Sequence, residues 1–117
     1  MSFDPALVNQ LIRHRRSVFP EHYTGGKVSD NIVKQMLENA TWAPNHKLTQ
    51  PWRFIVFTGT GLTKLAEAQA GVYKKVTEAD GTYRDDKYQS LLTKPLRSSH
   101  IIAVLMNRDE KRSVPEV

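Results

Sequence analysis

Cysteine is absent from this 117-residue chain. That absence excludes disulfides, thiolate metal sites, iron–sulfur clusters and cysteine nucleophiles together, and it suits a reducing compartment. No apolar run approaches the roughly 18–20 residues that a membrane-spanning helix needs. The opening residues, Met1 to Ala6, have neither the basic start nor the apolar core of a leader sequence. A soluble, cytoplasmic protein without a membrane partner is expected. Also missing are a G-x-S-x-G elbow, H-E-x-x-H, a P-loop and G-x-G-x-x-G. The nearest approach, Gly59-Thr60-Gly61, continues into Leu62 and not into a lysine or third glycine, so it predicts a plain strand-to-helix turn. His14, His22, His46 and His100 show no ligand spacing, and no metal is expected.

What is present suffices for one core: 39% of residues are hydrophobic and 9% aromatic. The formal net charge is +5, which raises the question of a polyanionic partner. The basic residues fall in short groups, Arg13 to Arg16, Lys74-Lys75 and Arg108 to Arg112, with acidic residues close by and no interleaved aromatics. That distribution favours solubility over nucleic-acid binding.

The periodicity predicts helix, helix, strand, helix, weaker helix, strand. Asp4 caps the first helix, Pro5 occupies its first turn, and Leu7, Val8, Leu11 and Ile12 form one apolar stripe. Ser29 caps the second, whose apolar positions are Ile32, Val33, Met36, Leu37 and Ala40, with Pro44 as its end. Phe54 to Phe57 and Ile101 to Met106 are continuous apolar runs, expected as strands covered on both faces. A third helix spans Leu62 to about Ala79 before Gly81, and a weaker one Tyr83 to Thr93 before Pro95. The class is therefore a mixed α+β or α/β layer architecture. Two strands alone make a poor sheet, so either further short strands lie within this stretch or the remaining strands come from chain outside it or from a second subunit.

Two constellations carry chemical potential. Arg15-Arg16-Ser17 presents two guanidinium forks and a hydroxyl at a helix end. Such a cluster either meets phosphate oxygens or simply complements the helix dipole, and the residues alone leave both readings open. The second is Ala43-Pro44-Asn45-His46-Lys47-Leu48-Thr49-Gln50-Pro51-Trp52-Arg53-Phe54, a proline-stiffened loop entering a strand. It is either a ligand-contacting loop on a rigid frame or an ordinary connection anchored by Trp52.

Taken in order, R-R-S followed by a helix and A-P-x-H-K-x-x-Q-P-W-x-F resembles the nitroreductase family, specifically its minimal single-domain branch. The resemblance implies a three-layer fold with a central mixed sheet flanked by helices. It further implies a homodimer with FMN at the subunit interface, NAD(P)H as electron donor, and a small nitroaromatic, quinone or related acceptor served by ping-pong kinetics. Carried over residue by residue, it places Arg15, Arg16 and Ser17 at the phosphate and ribityl end of FMN, His46 near the flavin, Trp42 as a lesser contact and Gln50 below it. No side-chain nucleophile or general acid is required, because the flavin carries the redox chemistry. The family pattern runs on past Met106, so residues 1–117 are expected to be one nitroreductase-like domain lacking its C-terminal part. The competing expectation is a flavin-free relic, or a basic module that binds an acidic partner through Arg13 to Arg16 and Lys47.

Overall fold

Each helix begins where its cap residue stands. In the computed structural model, which describes residues 1–45 and 50–108, α1 spans Pro5–His14, and the Asp4 carboxylate accepts from the Ala6 N–H at 2.9 Å. α2 spans Asp30–Ala40 behind Ser29, whose hydroxyl oxygen accepts from the Ile32 N–H at 3.4 Å. β1 (Trp52–Thr58) leads through Gly59, at φ 55°, directly into α3 (Thr60–Asp80). Gly81, in the left-handed region at φ 77°, closes α3. α4 (Asp85–Thr93), a 3₁₀ turn (Lys94–Arg97) and β2 (His100–Met106) complete the order. A second 3₁₀ turn, Pro20–His22, lies between α1 and α2. The α+β class and the helix and strand order match the sequence reading.

The strands pair antiparallel, Trp52 opposite Met106 and Thr58 opposite His100, as a two-stranded sheet among the described residues. Against it lies α3, which buries Leu62, Ala66 and Ala70 at helical spacing and packs on α4, the Lys94–Arg97 turn and β1. Pro20 meets Leu91, Pro95 and Ile101 in one apolar cleft, which brings the Pro20–His22 turn against the Lys94–Arg97 turn.

Three expectations change. α2 ends at Ala40, ahead of Pro44, where the Trp42 and Ala43 N–H groups turn to the Asn39 and Ala40 carbonyls three residues back and the Thr41 hydroxyl donates to the Glu38 carbonyl at 2.7 Å. The strands are not covered on both faces by the described residues: Ile55 is 48% and Val104 67% exposed, while α3 is the helix that packs on β1. Most pointedly, α1 buries no residue, and Leu11 on its apolar stripe is 74% exposed. The whole is open. Its Cα radius of gyration is 18.6 Å, against about 13 Å for a compact domain of this length. Its accessible surface is 10036 Å², where roughly 6,500 Å² is ordinary for this mass.

The α3–α4 corner is tied by aromatic and hydrogen-bond contacts. Tyr73, Tyr83 and Tyr88 gather there with successive ring centroids 6.1 and 6.2 Å apart. The Tyr73 hydroxyl accepts from the Arg84 N–H, and the Tyr83 hydroxyl donates to Asp85 at 3.1 Å. Partial burial, then the Asp85 carboxylate, pushes the Tyr83 phenol from 10.0 up to about 12. A proton held more tightly in the folded state stabilises fully below the unfolded value, and that stabilisation is lost as pH rises through the folded one. Wild type is therefore expected to lose stability between pH 10 and about 12, and thermal melts of Tyr83→Phe to show a smaller decline there. An identical alkaline decline in both proteins would remove Tyr83 as its source.

Candidate functional site

Arg15 is the C-cap of α1, where the chain turns extended at φ −59°, ψ 131°. The two arginines that follow the helix are used differently. Arg16 folds back: its Nη1 donates to the Arg13 carbonyl at 2.6 Å and the Arg15 carbonyl at 3.0 Å, satisfying groups that the helix end leaves open. Arg15 holds only the Ser17 hydroxyl, through Nη1 at 3.3 Å, and both side chains are exposed. The fork of Arg15 is thus open to an anion while Arg16 is engaged in capping. Arg15 and Ser17 already converge on one another without a ligand.

Trp42 follows α2 in the turn after Ala40 and is 84% exposed, an unusual place for an indole in a chain with so few buried residues. Half-buried Asn45 turns inward along the backbone, its Oδ1 accepting from the Gln50 N–H at 2.8 Å. Gln50 has φ 45°, the positive-φ region that costs a non-glycine residue strain. Arg53 steadies this corner, its Nη1 donating to the Gln50 carbonyl at 3.3 Å and the Trp52 carbonyl at 2.7 Å. The Asn45–Gln50 clip and the strained Gln50 backbone were not legible as such in the sequence. An Asn five residues before a Gln-Pro pair was their one local sign. His46, expected near the flavin, lies outside the described residues, as does Lys47.

The described residues of the two constellations are not joined by any bond. Among the described residues no hydrogen bond or ion pair joins Arg15, Arg16 or Ser17 to Trp42, Asn45 or Gln50, and α1 buries nothing. No group of three or more His, Asp or Glu side chains among the described residues could hold a metal. No helix among them is long and apolar enough to cross a membrane.

Comparison with known proteins gives the geometry its context. Residues 12–115 match the nitroreductase family. YfhC of Bacillus subtilis (strain 168), which carries an NAD(P)H nitroreductase assignment, is 33% identical over 106 residues, covering 90% of this chain and 52% of YfhC. A nitrobenzene nitroreductase of Ectopseudomonas oleovorans is 34% identical over 71 residues, covering 61% of this chain and 30% of that protein. Among solved structures, a nitroreductase-like family protein from Bacillus cereus superposes with a TM-score of 0.72 at 33% identity, over 94% of this chain and 54% of that one. The chain thus spans about half the length of the first of these relatives and of the solved structure. With the family match covering nearly its whole length, and R-R-S and A-P-N-H-K in the expected order, the chain belongs to the nitroreductase family.

Proposed function

We propose that this chain forms part of an FMN-dependent oxidoreductase that takes electrons from NAD(P)H and delivers them to nitroaromatic, quinone or related acceptors. Residues 1–117 contribute to a single domain, and the working unit is a cytoplasmic homodimer with FMN between subunits. The observation that carries this reading is the open Arg15 fork beside Ser17, on a helix that buries nothing. A guanidinium of this kind matches a phosphate bidentately, and the adjacent hydroxyl supplies a further donor. The donor set suits the phosphate end of FMN. His46 and Trp42 would stand at its ring end. Bound FMN would supply the electron transfer between nicotinamide and acceptor, so no side-chain nucleophile is needed.

Dimerisation is supported by the surface. The apolar stripe of α1 and the exposed Ile32 and Met36 of α2 are uncovered, and large uncovered apolar patches mark interaction sites. The accessible surface exceeds the ordinary value by more than the roughly 800 Å² that each subunit contributes to a standard interface.

Incubation of the purified protein with FMN, followed by removal of free flavin, tests the proposal. Retained flavin absorbance is expected. A protein that stays colourless overturns the flavin reading, and strongly salt-dependent binding of nucleic acid by that colourless protein would favour the basic-module alternative.

A further inference from the structure

The Ser99-His100 pair at the start of β2 takes no part in the proposed flavin chemistry, yet it makes the longest-range side-chain bonds described in the molecule. His100 Nε2 lies 2.8 Å from Asp30 Oδ1, the first residue of α2. Its Nδ1 lies 2.9 Å from the Ser99 hydroxyl, which accepts from the Val28 N–H at 2.8 Å. The Ser99 carbonyl in turn accepts from the Thr58 hydroxyl at 3.3 Å, at the end of β1. With an ionised Asp30 able only to accept, Nε2–H donates to it and Nδ1 accepts from the Ser99 O–H. Bonds therefore run from Val28, through the Ser99 hydroxyl and the imidazole, to Asp30 at the start of α2, and a separate one ties the Ser99 carbonyl to Thr58 of β1.

We propose that Asp30, His100 and Ser99 form a latch in which His100 is a positioning residue: it ties the start of α2 to β2, and so sets where the Trp42 to Asn45 end of the candidate site is presented. Three observations support this assignment. The His100 side chain is 8% accessible, so both ring nitrogens need partners, and both have them. α2 has little else to hold it, since Val33 is its one buried residue while Ile32 and Met36 are more than half exposed. The latch grips the N-terminal end of α2, whereas Trp42 and Asn45 follow its C-terminal end, about 16 Å away at 1.5 Å per residue. A tilt at the gripped end is carried by a rigid helix to the other. The consequence for the cofactor rests on the flavin reading above; the consequence for α2 does not.

Hydrogen exchange on the full chain tests the latch. In His100→Phe, which fills the volume but bonds to neither partner, the α2 amides are expected to exchange about tenfold faster. The α3 amides, resting on Leu62, Ala66 and Ala70, should keep wild-type rates. His100→Gln, which can place an N–H near the Nε2 position, should recover part of the α2 protection. Unchanged α2 exchange in His100→Phe, or an equal acceleration of α2 and α3, would overturn the latch. Should His100→Phe not fold, Asp30→Ala decides by the same comparison, because that exposed carboxylate can be removed without touching the core. FMN titration of the same proteins separates the two claims. A loosened α2 with FMN uptake weakened about tenfold supports both. A loosened α2 in the variants, where wild type itself takes up no FMN, upholds the latch and overturns the flavin reading.

Discussion

Replacing Arg15 by alanine is expected to weaken FMN binding by about 1.5–3 kcal/mol, the loss typical of a hydrogen bond to a charged group. That corresponds to roughly a ten- to 150-fold rise in Kd. Arg16→Ala is expected to lose less affinity, even though the two residues are neighbours of one type. The Arg16 guanidinium already donates to two main-chain carbonyls, so its removal chiefly exposes a helix end, whereas Arg15 is held only by Ser17 at 3.3 Å. Fluorescence titration of both variants would show the contrast. Equal Kd values for Arg15→Ala and wild type would take Arg15 out of the site, and a larger loss in Arg16→Ala would reverse the roles assigned to the pair.

Leu62→Ala is expected to destabilise the fold by about 2–5 kcal/mol, the range for emptying a buried leucine. The buried apolar residues described are Val33, Leu62, Ala66 and Ala70, and Leu62 is the largest of the three on α3. It also stands at the turn where β1 becomes α3, its N–H donating to the Gly59 carbonyl at 3.1 Å. Total stabilities are commonly about 5–15 kcal/mol, so this one truncation removes a large share of what the chain has. Thermal melts followed by circular dichroism should show a fall in Tm of roughly 10 °C or more. Thr63→Ala, one residue on and exposed, should stay within about 0.5 kcal/mol of wild type. Similar melts for Leu62→Ala and Thr63→Ala would mean that the α3 stripe is not the core.

Much of this molecule was legible in local signals. Caps and breakers act within a few residues, and Asp4, Ser29 and Gly81 stand where the sequence put the ends of α1, α2 and α3. The two motifs likewise sufficed for the family, as the match over residues 12–115 shows. What escaped depends on partners distant in sequence or absent from the chain. An apolar stripe says that a helix can be covered without saying what covers it, so the exposure of Leu11 could not be foreseen. The same holds for the open faces at Ile55 and Val104. His100 and Asp30 are separated by 70 positions, and nothing in either neighbourhood names the other. At the candidate site, Arg15 and Arg16 were read as equals; only the geometry shows one occupied and the other open.

The two-stranded sheet also governs how the protein must be handled. Both of its outer edges carry main-chain groups that no described strand pairs, and β2 ends in Ile101-Ile102-Ala103-Val104-Leu105-Met106, an uncharged β-prone run without proline. Such an edge is a template for pairing with another molecule's strand. The counterweight is a net charge of +5, which keeps like molecules apart over distances that salt controls. At about 0.1 M ionic strength that repulsion reaches only about 10 Å. Added salt, ordinarily a routine aid to solubility, therefore removes the barrier that keeps these edges from finding each other.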